Sequence, residues 1–315
     1  MKNKCPVCDS KGFVIHQDVL DYYFNHEGRW SFLKCKSEDC GAIWVDPLPK
    51  PEELSSYYEN YYTHQSEGLK GKLKSIVIPM IARGLIDPAM SRNWRQLLVF
   101  AARKIYPSLI SDAYYGLGGA IPFRHKRVLD VGCGNGDRLP LFERIGWEFV
   151  AGIDLDDKAV DAARLAGLNV QKGSMDSIPY EDNSFEFLFS HHVVEHVYDI
   201  ADSLSECFRV LEPGGVICIL TPNGESRLHQ YYGKYWRGLE APRHLQIYTI
   251  RSLEKAALKA GFIINQLETT DRSHDWMRAQ CEDFLQRHGI PSPDSMISNL
   301  DLQSGEELFL LATKP

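Results

Sequence analysis

The stretch Val128-Leu-Asp-Val-Gly-Cys-Gly-Asn-Gly-Asp137 constrains the fold of this chain more than any other. Apolar strand residues run directly into three glycines spaced two apart, Gly132, Gly134 and Gly136, with Asp130 at the strand's end. Glycine lets the backbone turn tightly and approach a ligand closely. A second apolar run, Phe149-Val-Ala-Gly-Ile-Asp154, also closes on an acid. A unit of strand, glycine turn, helix and acid-terminated strand calls for a parallel sheet. It suits a nucleoside whose ribose hydroxyls meet the second acid.

The chain beyond Arg127 repeats this alternation. Strands are expected at 127–131, 148–153, 168–171, 185–189, 215–220, 262–267 and 307–313, and helices near 136–145, 156–165, 193–197, 200–210 and 251–259. That order predicts an α/β fold whose parallel sheet is covered on both faces. Residues 271–304 give no clear reading and suit an insertion over the site. Gly116-Leu-Gly-Gly-Ala-Ile-Pro122 breaks structure before the first strand.

The N-terminal region has a different character. Cys5-Pro-Val-Cys8 and Cys35-Lys-Ser-Glu-Asp-Cys40 form two knuckles around a loop-rich segment. Four thiolates from Cys5, Cys8, Cys35 and Cys40 suit a tetrahedral Zn2+, with a structural role because no coordination position stays open. So short a segment needs such a staple to hold its fold. Asp46-Pro-Leu-Pro-Lys-Pro51 reads as a stiff linker. The expected domains are a zinc-binding module at 1–50, a basic helical lid at 51–126 and a catalytic domain at 127–315.

Charge separates these blocks. Residues 64–127 carry 11 basic and 3 acidic side chains, while the whole chain has a net charge of −7. The overall balance argues against nucleic acid as partner, since phosphate binding needs clustered lysine and arginine. The basic, amphipathic pieces within 68–106 suit an acidic small molecule or peripheral contact with an anionic membrane. No run of 18 apolar residues and no apolar signal region appears, so the chain reads as a soluble cytoplasmic protein. Tyr57, Tyr58, Tyr61 and Tyr62 recur at helical spacing, either as packing aromatics or with Tyr61 or Tyr62 over the cofactor or acceptor.

The spacing Asp-x-Gly-x-Gly-x-Gly differs from the dinucleotide fingerprint. It resembles motif I of class I S-adenosylmethionine (SAM) methyltransferases. The resemblance covers roughly residues 125–262 and continues through Gly173-Ser-Met-Asp-Ser-Ile-Pro-Tyr180, Val194-Glu-His-Val197, Leu211-Glu-Pro-Gly-Gly215 and Thr221-Pro-Asn223. It implies a Rossmann-like seven-stranded sheet carrying a small zinc-ribbon-like module, with the last strand inserted antiparallel. Gly132 and Gly134 are expected along the methionine moiety and Asp130 at its amino group, with a helix starting near Gly136 pointing N–H groups at its carboxylate. Asp154 is expected on the ribose and Asp176 at the adenine amino group, with Met175 facing the ring. Cys133, Leu155, Ser190 and His191 complete the expected cofactor set.

On the acceptor side, Glu240-Ala-Pro-Arg-His-Leu-Gln-Ile-Tyr-Thr249 follows the fifth strand. His244 is the side chain there able to take a proton near neutral pH, and is the expected general base. Glu240 and Arg243 would orient it, His191 and Tyr61 are further catalytic candidates, and the Glu195–His196 pair is expected to fix a loop. The whole layout looks like a group of bacterial methyltransferases of polysaccharide and sugar-nucleotide pathways. It is more distantly similar to zinc-containing sugar C-methyltransferases, which are longer. Transfer to a hydroxyl of a small-molecule, lipid- or nucleotide-linked sugar is the leading expectation. An RNA methyltransferase and a non-catalytic SAM-binding protein are the alternatives.

Overall fold

The computed structural model describes residues 3–24, 26–57, 111, 113–119, 126–293 and 304–315. Tyr58, Tyr61, Tyr62 and the basic pieces of 68–106 lie outside the described residues. Two compact units divide the chain: 1–61 with 192–205 and 220–310, and 62–191 with 206–219 and 311–315.

The second unit holds the nucleotide-type core. Strands β4 (Arg127–Val131), β5 (Phe149–Asp154), β6 (Val170–Lys172) and β7 (Phe185–His191) form its sheet, with helix α2 (Leu139–Ile145) after β4 and helix α3 (Asp157–Leu165) after β5. β4 pairs in parallel with β5 on one side and with β7 on the other. The chain order therefore reverses at β4, where α/β sheets open a crevice at the strands' carboxyl ends. Phe185, Phe187, Leu188 and Phe189 are all fully buried. Burial of successive residues, interrupted in apolar character by Glu186, is the signature of a strand covered on both faces. Leu139, Val160, Ala163 and Val170 pack with Cys133 into a cluster between helices and sheet. The Asp156 carboxylate caps α3 by accepting the Lys158 N–H at 2.9 Å.

The seven-stranded sheet runs β10-β11-β8-β7-β4-β5-β6, where β8 is Leu211–Pro222, β10 is Ile263–Thr270 and β11 is Glu307–Thr313. Bonds from Gly214 N to Lys314 O at 2.8 Å and from Asn223 N to Glu306 O at 2.9 Å run β11 antiparallel to β8. The architecture is the Rossmann-like α/β fold expected from the residues. Helix α4 (Ile200–Val210) precedes β8.

The first unit contains a four-stranded sheet ordered β1-β2-β3-β9, from Gly12–Val19, Trp30–Cys35, Ile43–Asp46 and Gln246–Ile247. Helices α1 (Pro51–Tyr57), α5 (Arg227–Tyr232), α6 (Ile250–Lys259) and α7 (His274–Arg287) also lie in this unit. Thr249 and Ser252 cap α6 reciprocally. Val19, Trp30, Phe32, Ile43 and Val45 share one buried cluster with Leu228, Trp236, Ile247, Met277 and Phe284. The segment between the knuckles, expected to be loop-rich, is instead largely strand. It shares its core with distant residues, so 1–50 does not stand as a separate compact module. Residues 271–304, unreadable from sequence, contain α7.

Candidate functional site

The turn after β4 takes the conformation its glycines demand. Gly132, Gly134 and Gly136 all have positive φ, at 70°, 57° and 79°. A Cβ on Gly136 would meet the Leu168 side chain at 2.7 Å, so both backbone and packing call for glycine there. The Gly132 and Cys133 N–H groups donate to the Ile153 carbonyl at 2.8 and 2.9 Å, which folds the turn back onto β5. The helix itself begins at Leu139, later than expected. Asn135 and Asp137 bond one another in a side-chain turn, and Pro140 sits in the first helical turn, where its fixed φ is favoured. Residues 136–138 therefore form a turn, and the helix N-terminus expected near Gly136 is displaced.

Two acids flank this turn. Asp154 accepts the Gly134 N–H at 2.7 Å and the Asp156 N–H at 2.9 Å. Burial raises its pKa, against the pull of those backbone donors. Asp130 is fully buried, and neither carboxylate oxygen has a hydrogen-bond partner among the described residues. Burial raises its pKa to about 6, with the Arg138 guanidinium 3.5 Å away partly countering it. Ser190 Oγ, at the carboxyl end of β7, is buried and likewise unpartnered among the described residues. Buried polar groups without partners are costly and mark places that await a ligand. A carboxylate that meets only one distant cation fits an ammonium group such as that of the SAM methionine moiety.

The remaining cofactor candidates lie in the same unit. Leu155, directly after Asp154, is 64% exposed, an apolar surface suited to a purine face. Met175 is buried, while Asp176 is exposed and accepts a bond from the Ser174 hydroxyl. Cys133 is buried, and its Sγ would lie 2.5 Å from a Cβ placed on Gly152. His191 Nδ1 lies 3.0 Å from an Arg138 guanidinium nitrogen. Arginine can only donate, so Nδ1 accepts and the neutral ring carries its proton on Nε2. His191 is thus set as a donor.

In the first unit, the four cysteine sulfurs converge. Cys5 and Cys40 Sγ are 3.6 Å apart, Cys8 and Cys35 Sγ are 3.5 Å apart, and all four lie within 4.8 Å of one another. Tetrahedral zinc at about 2.3 Å from each sulfur needs sulfurs about 3.8 Å apart, so the donor set and spacing fit that ion.

The segment 237–246 is a buried polar network. Arg243 is fully buried and bonds both oxygens of Asp21, at 2.7 and 2.9 Å, and Glu240 at 3.1 Å. Arg237 pairs with the other Glu240 oxygen. Burial opposes ionisation of Glu240, but Arg237, His244 and Arg243 hold its pKa well below the usual range. His244 is 4% exposed and its Nδ1 donates to the Gly238 carbonyl at 2.7 Å. Burial lowers its pKa to about 4. The ring thus lies inside the turn it locks, and its pKa falls below the near-neutral value expected of a general base. Glu195 and His196 also hold this loop. The Leu245 N–H donates to the Glu195 carbonyl at 2.8 Å, and His196 Nδ1 donates to the Arg243 carbonyl at 3.0 Å.

Two side chains of these networks, Arg138 and Asp21, were missed from sequence. Arg138 could have been found by asking which cation accompanies a buried Asp130. Asp21 gave no local signal. His192, an alternative base if His244 is not one, has positive φ and lies between Glu195 at 3.0 Å and Glu307 at 2.8 Å. Burial opposes its charging, but bonds to those two carboxylates raise its pKa to about 9.

A family model described as a methyltransferase domain matches residues 102–267, a little over half the chain. The chain is 38% identical over 98 residues to a Mycolicibacterium smegmatis protein named "Probable S-adenosylmethionine-dependent methyltransferase", covering 30% of this chain and 38% of that protein. It is 36% identical over 123 residues to a ubiquinone biosynthesis O-methyltransferase of Neisseria meningitidis, covering 36% of this chain and 52% of that one. The chain spans about half or less of these relatives' length. A crystal structure of a SAM-dependent methyltransferase from Mesorhizobium loti aligns with a TM-score of 0.44 at 19% identity, over 59% of this chain and 90% of that one.

Proposed function

The chain belongs to the methyltransferase-domain family, and from that premise we propose that it transfers a methyl group from SAM to a hydroxyl of a small acidic acceptor, a nucleotide- or diphosphate-linked sugar. One observation carries the cofactor half of this reading: the buried Asp130 carboxylate, which meets the Arg138 guanidinium at 3.5 Å but has no hydrogen-bond partner among the described residues, beside a turn of positive-φ glycines. Asp130 would hold the cofactor's ammonium, Asp154 the ribose hydroxyls, and Leu155 with Met175 the adenine face. His191, oriented by Arg138, would donate from Nε2. The cofactor supplies an already activated methyl group, so the protein's main task is positioning and exclusion of water.

The acceptor half rests on charge. Residues 64–127 carry a net of +8 in a chain that is otherwise acidic. A phosphate-bearing sugar, free or on a membrane surface, suits that block. The four-thiolate cluster would hold a structural Zn2+, which belongs with a reducing, cytoplasmic setting.

Incubation with tritiated SAM and either a sugar-nucleotide and glycolipid extract or bulk RNA tests the reading. Label in a sugar fraction supports it; label only in RNA replaces the acceptor. Acceptor affinity should fall as salt rises, because exposed charges are screened over about 10 Å at 0.1 M. A salt-independent affinity argues for a neutral acceptor.

A further inference from the structure

Away from the residues assigned above, one side-chain cluster of the first unit is built like a cation site. Glu306, immediately before β11, is fully buried and its Oε2 has no hydrogen-bond partner among the described residues. Its Oε1 accepts the Leu228 N–H at 3.3 Å and lies 3.3 Å from His274 Nδ1. His274 opens α7, and its N–H donates to the Asp271 carbonyl at 3.0 Å. One donor atom each from Asp271, His274 and Glu306 lies within 4.8 Å of the other two. Arg227 donates to Asp271 Oδ1, which leaves the second carboxylate oxygen for the cluster.

The cluster is graded from solvent to core. The side chains of Asp271, His274 and Glu306 are 57%, 29% and 0% exposed. An ion could therefore enter past Asp271 and rest against a carboxylate whose ion-pair partner among the described residues is His274. A buried carboxylate oxygen left unpaired is expensive, and a bound cation removes that cost. Burial also raises the Glu306 pKa, with Ser226 and His274 opposing it.

We propose that Asp271, His274 and Glu306 form a divalent-cation site, separate from the cysteine cluster, that takes an ion accepting mixed oxygen and nitrogen donors, with water in its remaining positions. Bonds of about 2.1–2.2 Å would draw the three donor atoms to roughly 3 Å apart. Rotation of the exposed Asp271 and the half-buried His274 can supply that contraction. One imidazole and two carboxylates suit Mn2+ or Zn2+, whereas Mn2+ is poorly matched to four thiolates. Mn2+ is therefore a selective probe. Bound there, the ion would clasp the end of β10, the first turn of α7 and the approach to β11.

Full-length protein, with any metal it retains on purification, is titrated with Mn2+ and free ion is read by electron paramagnetic resonance. One Mn2+ per chain is expected to bind. Glu306→Gln and Asp271→Asn should each weaken it by about tenfold or more, the usual effect of losing a ligand or its support. Asp271 is exposed, so its variant tests the site even if Glu306→Gln fails to fold. Asp283→Asn, on the same helix, should leave binding unchanged. No bound Mn2+, or binding that Asp271→Asn leaves intact, overturns the proposal.

Discussion

The Asp154 carboxylate accepts the Gly134 N–H at 2.7 Å. The acid that closes β5 is thereby tied to the turn that follows β4. It thus shapes the glycine turn.

Asp154→Ala is expected to weaken SAM binding by about 1.5–3 kcal/mol, the worth of hydrogen bonds to a charged partner. Calorimetry on the folded variant measures it. Unchanged affinity would remove the ribose assignment.

Asp130 predicts a pH effect of definite sign. Its pKa is raised from 3.8 to about 6, so the folded state holds the proton more tightly than the unfolded chain. The stability this group contributes is complete below about pH 4 and is lost as pH rises through 6, on the order of 3 kcal/mol. An ammonium beside the carboxylate reverses that preference. Thermal melts without SAM should show Asp130→Asn gaining stability over wild type near pH 7. The SAM-induced rise in Tm should grow between pH 5 and 7 in wild type and stay flat in Asp130→Asn. A flat wild-type profile would place the cofactor's ammonium elsewhere.

Cys35→Ser should reduce zinc below about half an equivalent per chain, as read by elemental analysis. Because Cys40 O accepts the Thr249 hydroxyl at 2.5 Å and the strands share a core with α5 and α7, destabilisation should spread through the first unit. Hydrogen exchange should therefore accelerate in α7 as well as in β1–β3. Acceleration confined to 1–50 would indicate an independent module.

His244→Ala leaves the Gly238 carbonyl without its donor inside the protein, and should lower stability by roughly 1–3 kcal/mol. His244→Gln can still donate, and should recover most of that loss. Urea titration measures both. A fully stable His244→Gln whose turnover falls by about 10²–10⁴ would instead restore His244 as the acid–base group.

The parts of the candidate site legible in sequence were those written in contiguous residues. Gly132, Gly134 and Gly136 take positive φ, and only glycine adopts it cheaply, so the turn announces itself. The acids at the ends of β4 and β5 are placed by strand length and register. Even there the helix start slipped, although Pro140 carried the signal for it. Tyr61 and the basic pieces of 68–106 fall outside the described residues.

What the sequence determined by itself was the alternation of strand and helix, the glycine turn with its two acids, and the pairs of cysteines, because backbone preference and apolar periodicity act over a few neighbouring residues. Tertiary structure decided the rest. It joined Asp21 to Arg243 across 222 positions, extended the N-terminal sheet with Gln246–Ile247, buried His244 until its pKa fell to about 4, and set Glu306 beside His274. Those outcomes follow from desolvation and pairing in the folded interior, and both depend on which distant segments meet.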